Sequence, residues 1–243
     1  MNIPYLPSSA FMTTSTDSVL ERALAPDILI GMPHLTPSGL SENWLLKELG
    51  HRHWLMLARS AGMDNADFRD REGREVYAAI SALSMRGMNL RQIRANDVLS
   101  ISSAIRRLSR TQIWSRHVLT IQQRSVGSVE LLSTFVGRMR EGDNHSITRV
   151  ALDCLPDIDA GATSRLGTLA AAIRSDSVSN HFGFSLDRSH HLAGKIVEPD
   201  ETRDFNGVGL LYFSSFPSIA DSIIRTKFDR DAMRLADFDR DVF

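Results

Sequence analysis

An α+β fold, one central helix followed by a run of long antiparallel strands, is what this 243-residue sequence predicts. Three observations carry it. Residues 27–62 read as helical, with one apolar face. Four segments of strand length fill residues 75–140. Helical periodicity then returns once, over residues 216–224.

In the first region Thr36-Pro37 reads as an N-cap followed by a proline in the first turn, where its missing N–H costs nothing. Leu40, Trp44, Leu45 and Leu49 share a face, and Gly50 is placed to end the helix. A second apolar stretch, Trp54 to Ala58, follows and ends near Gly62. The strand-length segments are Glu75–Met85, Asp97–Ser109, Thr111–Gln122 and Ser128–Arg140, broken by Arg86-Gly87, Asn96-Asp97 and Gly127-Ser128. The second and third nearly touch, which predicts an antiparallel hairpin around Ser109-Arg110-Thr111. A long sheet wrapped around a single helix is the hot-dog fold. Residues 141–180 read as a polar linker with a short helix at Gly167–Ile173, and a strand is expected over Phe182–Ile196. Phe216, Ile219, Ala220, Ile223 and Ile224 then fall at the spacing of a helix with one buried face, which Ser214 or Ser215 can cap. Asp239-Arg240-Asp241-Val242-Phe243 reads as the entry to a strand. The expected organisation is a loose arm over 1–26, a first unit over 27–140, a linker over 141–180 and the start of a second, truncated unit over 181–243.

Composition excludes several classes. A formal charge of -1 with acids and bases interspersed gives no basic excess for nucleic acid. The single cysteine, Cys154, excludes an internal disulfide and cysteine-rich zinc sites, and reads as a minor core residue. No apolar run approaches a membrane span. The N-terminus has no basic stretch followed by an apolar one, so a cytoplasmic protein is expected. His51 and His53, like His190 and His191, are too close in sequence to make a metal-binding helix face, and no metal or organic cofactor is expected. Gly207-Val208-Gly209 lacks the third glycine of a dinucleotide fingerprint.

Two motifs go further. Asp204-Phe205-Asn206-Gly207-Val208-Gly209-Leu210-Leu211-Tyr212-Phe213, continuing to Ile219-Ala220-Asp221, is one; Gly31-Met32-Pro33-His34-Leu35, continuing through Leu40-Ser41-Glu42-Asn43-Trp44, is the other. Both resemble the leinamycin-type bifunctional acyltransferase/decarboxylase family, a double hot-dog, and most of all its biosynthetic relatives. A third region, Asp70 to Ala79 and on to Arg86-Gly87, aligns without gaps and puts Tyr77 where that family is proposed to carry the acyl group. Ile80, Ser81 and Ala82 replace bulkier aromatic positions there. The Asp204 segment also resembles the Asp-x-Asn-Gly start of thioesterases of the 4-hydroxybenzoyl-CoA type, although Val208-Gly209-Leu210 departs from their His-Val-Asn.

The resemblance implies decarboxylation of a (methyl)malonyl-CoA-type thioester and transfer of the acyl group to an acyl carrier protein in polyketide-type biosynthesis. No cofactor is needed, because the thioester carbonyl itself accepts the electrons as an enolate. Coenzyme A or phosphopantetheine enters as part of the substrate. The enolate oxygen needs N–H donors, and a helix N-terminus supplies them. Tyr77, Asp204 and Asn206 are the expected catalytic residues. His34, Thr36, Gly39, Asn43, Gly207 and Gly209 are the expected substrate-binding set, the glycines letting a thioester approach the backbone. Hydrolysis by Asp204, as in a hot-dog acyl-CoA thioesterase, and a non-catalytic module that binds thioesters or carrier proteins are the alternatives. Read without the resemblance, Tyr77 is a packing residue of a strand and Asp204-Phe205-Asn206-Gly207 a turn. A second unit without its sheet would expose one face of the 216–224 helix, which favours a homodimer.

Overall fold

The computed structural model describes residues 18–155, 163–186, 196–227 and 238–243. Ser18 caps a short helix, α1 (Val19–Ala23), whose Leu20 is buried, so the end of the expected loose arm is ordered against the core; residues 1–17 lie outside the described residues. β1 (Asp27–Leu29) follows, then a tight hairpin of β2 (Leu35–Thr36) and β3 (Gly39–Leu40). The central helix α2 runs from Glu42 to Ser60.

The helix expected over 27–62 is therefore corrected at its start. Thr36 does not cap it: its hydroxyl donates to the Gly39 carbonyl (3.1 Å) and accepts from Ser38 N (3.2 Å), closing the β2–β3 turn around Pro37. Ser41 is the cap, its hydroxyl accepting from Trp44 N. Gly50 does not end α2 either. It sits inside the helix because a Cβ there would come within 2.7 Å of Phe213 Cε1 and 3.2 Å of the Tyr212 hydroxyl. Tertiary packing, not chain termination, requires that glycine, and Trp54–Ala58 belong to the same helix.

Four strands form, β4 (Val76–Met88), β5 (Val98–Arg107), β6 (Gln112–Ile121) and β7 (Arg124–Arg138), but Arg86-Gly87 and Gly127-Ser128, expected as breaks, lie inside β4 and β7, and β6 turns into β7 at Gln122-Gln123. β5 and β6 make the expected hairpin, with Arg107 opposite Ile113. β8 (Ile147–Arg149) adds to β7, and α3 (Arg165–Arg174), capped by Ser164, matches the expected short helix. Of the strand expected over Phe182–Ile196, the described part holds only a two-residue ladder, β9 (Asn180–His181) with β10 (Phe184–Ser185); residues 187–195 lie outside the described residues. Cys154 is exposed and is not a core residue.

After α4 (Glu201–Asp204) and α5 (Ser215–Lys227) comes β11 (Phe238–Val242). β11 does not begin a separate sheet: it pairs antiparallel with β4, Phe238 opposite Met88 and Val242 opposite Leu83. The antiparallel order is β1-β5-β6-β7-β4-β11. Polar bonds hold the added strand. Asp241, its carboxylate buried, accepts from Arg86 (2.6 Å) and meets His181 (2.8 Å), while Arg240 bonds Glu42 (2.9 Å) and Asp221 (3.0 Å). On α5, Phe216 stays 49% exposed and Ile224 38%.

The concave face of the sheet packs on α2 in two apolar layers. Leu45, Leu46 and Leu49 meet Met85, Leu119 and Leu131 in one; Leu55, Leu57 and Phe68 meet Ile113 and Phe135 in the other. The opposite face is covered by α3, where Leu166 and Ala170 pack on Ala82 and Leu132. Buried Arg52 anchors the chain entering β1, donating to the carbonyls of Leu24 (3.3 Å) and Ala25 (2.8 Å) and to Glu48 (2.8 Å).

Candidate functional site

A cleft of about 430 Å³ lies between α2, β4 and the 206–216 segment. Consecutive residues Glu75 to Ile80 all line it. Because alternate residues of a strand point to opposite faces, a cavity that touches every one of them lies along the strand's edge. A second cavity of about 210 Å³ continues along β4 from Ile80 to Leu83 and shares Ile80, Phe213 and Phe216 with the first. Gly50, His51, His53 and Trp54 form the α2 wall.

The opposite wall is a turn held rigid by its own sequence. Asn206 Oδ1 accepts from Val208 N (3.2 Å) and Leu210 N (2.9 Å), and Phe205 bridges to Leu211. Arg138, at the end of β7, donates to the Val208 carbonyl (2.5 Å), and Asn144 Nδ2 donates to the Gly209 carbonyl (3.1 Å). The same Arg138 guanidinium sits 5.7 Å from the centre of the Tyr77 ring. Sheet, turn and tyrosine are thereby tied together.

Of the expected catalytic residues, Tyr77 and Asn206 line this cleft, and Gly207 beside them does too. The Tyr77 phenol donates to Glu75, and burial, then the Glu75 carboxylate, raises its pKa above the ordinary value. It is thus a protonated donor and not a phenolate nucleophile at neutral pH. Asn206 has its Oδ1 committed to the turn, while its Nδ2 makes no hydrogen bond among the described residues.

Asp204 is placed differently. Its carboxylate accepts from Arg203 (3.0 Å), from Asp200 N (2.9 Å) and from the Ser215 hydroxyl (3.1 Å), clasping α4 to the start of α5. The Arg203 guanidinium, then the Asp200 amide, lowers its pKa to about 2. With its oxygens occupied and outside the cleft lining, it is poorly set to act as a base. Asp204→Asn is expected to cost about 1–3 kcal/mol of stability while leaving any turnover within a fewfold of the parent; denaturant melts and rates measured side by side check this.

Gly209 adopts φ +70 in the turn and does not line the cleft. The expected substrate-binding residues His34, Thr36, Gly39 and Asn43 lie away from it as well. His34 accepts from Gly31 N (2.9 Å) and its ring packs tilted against Trp44, centroids 4.5 Å apart. Gly39 packs on the Leu90 carbonyl, where a Cβ would lie at 2.3 Å. The start of α2, expected to hold the thioester oxygen, is capped by its own Ser41 and covered by the Arg240–Glu42 pair. The cleft meets α2 at its middle instead.

Sequence reading missed His51, Trp54, Glu75, Tyr212 and Phe213, which only tertiary packing brings to the cleft. It also missed a buried polar belt separating the two apolar layers. His53 bonds Ser115 (2.7 Å) through Nδ1 and Ser133 (2.8 Å) through Nε2; His117 bonds Ser115 (3.0 Å) and Ser103 (2.8 Å). Every ring nitrogen is satisfied with both imidazoles neutral, and burial lowers both pKa values to about 3. The inward alternation Ile113, Ser115, His117, Leu119 on β6 is the signal that could have revealed it. Among the described residues no group of side chains is arranged to hold a metal ion, and no helix is long and apolar enough to cross a membrane.

No protein-family model matches the sequence, and no curated protein sequence matches it. Among solved structures, the 12:0-ACP thioesterase of Umbellularia californica aligns over 82% of this chain and 75% of its own, with a TM-score of 0.51 and 10% identity. The fold is a hot-dog. Looser likenesses reach a hypothetical protein of Thermus thermophilus (TM-score 0.41, 14% identity, 53% of this chain and 91% of that one). A Prochlorococcus marinus protein assigned as a thioesterase gives a TM-score of 0.42 and 14% identity, over 55% of this chain and 90% of that one. At these identities the likeness concerns the hot-dog scaffold, α2 wrapped by β1, β5, β6, β7 and β4.

Proposed function

We propose that this protein acts on acyl thioesters in the β4 cleft, as an acyltransferase/decarboxylase of the leinamycin type. The observation that carries the reading is convergence: Tyr77 from one motif and Asn206-Gly207 from another, distant by more than a hundred residues in sequence, line one cavity. The hot-dog neighbour that aligns over most of the chain, a 12:0-ACP thioesterase by name, supports thioester chemistry in general. Residues 181–243 are read as the start of a second unit, since α5 followed by β11 repeats α2 followed by β4.

The chemistry asks little of the protein beyond placement. As the substrate carboxylate leaves as CO₂, the electrons of the broken C–C bond pass to the thioester oxygen, giving an enolate. Asn206 Nδ2 is the donor proposed for that oxygen, joined by the Tyr77 phenol when its O–H turns from Glu75 to the substrate. A proton returns to carbon, and the thiol of an acyl carrier protein then displaces the coenzyme A thiol at the carbonyl. Neither step requires a phenolate, which agrees with the raised pKa of Tyr77.

The test is incubation with methylmalonyl-CoA and a carrier protein bearing its phosphopantetheine, following CO₂ release and the mass of the carrier. Tyr77→Phe is expected to lower the rate about 10²-fold, the usual cost of removing one such donor. A protein inert toward malonyl-type and simple acyl thioesters alike would end the reading. Hydrolysis is the second reading. It is favoured by one observation, that exposed His51 stands on the cleft wall where it could take a proton from water.

A further inference from the structure

The edge of β4 inside the cleft is unpaired. β11 covers β4 only from Leu83 to Met88. Phe68 occupies the edge at Val76; from Tyr77 to Ala82 one edge of the strand bonds β7 and the other faces the cavity, a length of about 17 Å at the usual rise per residue. The direction of each amide follows from three bonds. Val76 N donates to the Phe68 carbonyl (3.0 Å), away from β7. Phe135, the β7 residue opposite Ala78, donates to the Thr111 carbonyl (3.1 Å) and accepts from Val150 N (3.0 Å), so it does not bond β4. Ala78 and, two residues on, Ile80 therefore turn their N–H and C=O groups to the cleft side. No described residue bonds them there. A bulge at Ser81, where the register shifts between Ile80 and Ala82, ends this row.

We infer that this open row pairs with the two amides of a pantetheine arm, laid extended along β4 with its thioester toward the Tyr77–Asn206 end. The inference rests on the acyl-thioester reading and says what that site recognises. Unmet backbone donors and acceptors in a half-enclosed cleft bind a partner that carries the same groups in series. A pantetheine arm carries two amides separated by one more methylene than in a peptide, so that in the extended chain both amides face the same side, as Ala78 and Ile80 do.

The experiment uses non-reactive thioethers bearing one acyl mimic on pantetheine (two amides), N-acetylcysteamine (one) or ethanethiol (none), titrated calorimetrically into the full chain. Coenzyme A and carrier-protein thioethers are added to distinguish the arm's two sources. Each amide removed should weaken binding about fivefold, and pantetheine and coenzyme A should bind alike if the arm is what is read. Ala78→Pro deletes only the cleft-facing N–H and spares the β7 ladder; it should weaken the pantetheine ligand about fivefold and leave the ethanethiol ligand unchanged. A folded variant is verified by its melting curve, and the three-ligand series stands without it. Equal affinity across the three thioethers, or displacement by a strand-forming peptide at lower concentration, would overturn the pairing while leaving thioester chemistry intact. Failure of every thioether to bind would remove the acyl-thioester reading itself.

Discussion

Between pH 7 and pH 4.5 the folded protein is expected to lose about 5 kcal/mol of stability through His53 and His117 alone. Both are buried and neutral, with pKa values lowered from 6.5 to about 3. Below pH 6.5 the unfolded chain takes up protons that the native state refuses, so the equilibrium shifts toward unfolding. The effect is absent above pH 6.5, grows as pH falls, and levels off near pH 3, the folded value. Each histidine contributes about 1.4 kcal/mol per pH unit within that window. The figure is large beside the 5–15 kcal/mol of a typical domain. Asp204 acts in a separate range: its lowered pKa stabilises the fold above its ordinary value, near 4, and that contribution is lost only as pH falls toward 2. Urea unfolding at pH 7.0, 6.0, 5.0 and 4.5 reads the slope directly. His53→Gln and His117→Gln should each remove about half of it, whatever they cost at pH 7. A flat profile across that range would show that the belt is not buried and neutral as described.

Gly39→Ala is expected to destabilise the protein by about 3–5 kcal/mol, roughly 10 °C in melting temperature, without altering ligand affinity in the fraction that folds. Two causes add. Gly39 has φ +114, a region that side-chain-bearing residues rarely adopt, and its Cβ would lie 2.3 Å from the Leu90 carbonyl oxygen and 2.7 Å from Arg91 Cα. Neither neighbour is the end of a flexible side chain, so the β2–β3 hairpin or the 90–92 turn must move. If Gly39 served substrate instead, the alanine variant would melt normally and bind or react poorly. Differential scanning calorimetry beside thioether titration separates the two outcomes.

The sheet was legible where its breaks fall on residues that favour turns, Asn96-Asp97 and Ser109-Arg110, but β6 turns into β7 at Gln122-Gln123, both in the left-handed region, a turn that no glycine, asparagine or proline announces. Asn96, with φ +72, and Gly87, with φ +58, sit in the left-handed region those residue types tolerate. The start of α2 was not legible, since Thr36-Pro37 suits a hairpin corner as well as a cap, and only the Thr36–Gly39 bond decides between them. Gly50 misled for a related reason. Its meaning lies in Phe213, more than 160 positions away, and no local pattern contains that contact. In the cleft, Tyr77, Asn206 and Gly207 were reachable through the family resemblance. Asp204 was misjudged because its partners Asp200, Arg203 and Ser215 are all drawn from the junction of two short helices.

The pairing of β11 with β4 has a kinetic consequence. β5, β6 and β7 are joined by tight turns and can zip as a meander of local contacts, whereas Phe238 meets Met88 at a separation of 150 positions in sequence. Loop-closure entropy alone makes that contact late to form. β11, whose Val242 lines the second cavity, would then arrive after the central helix is already clasped, and its local opening would cost less than global unfolding.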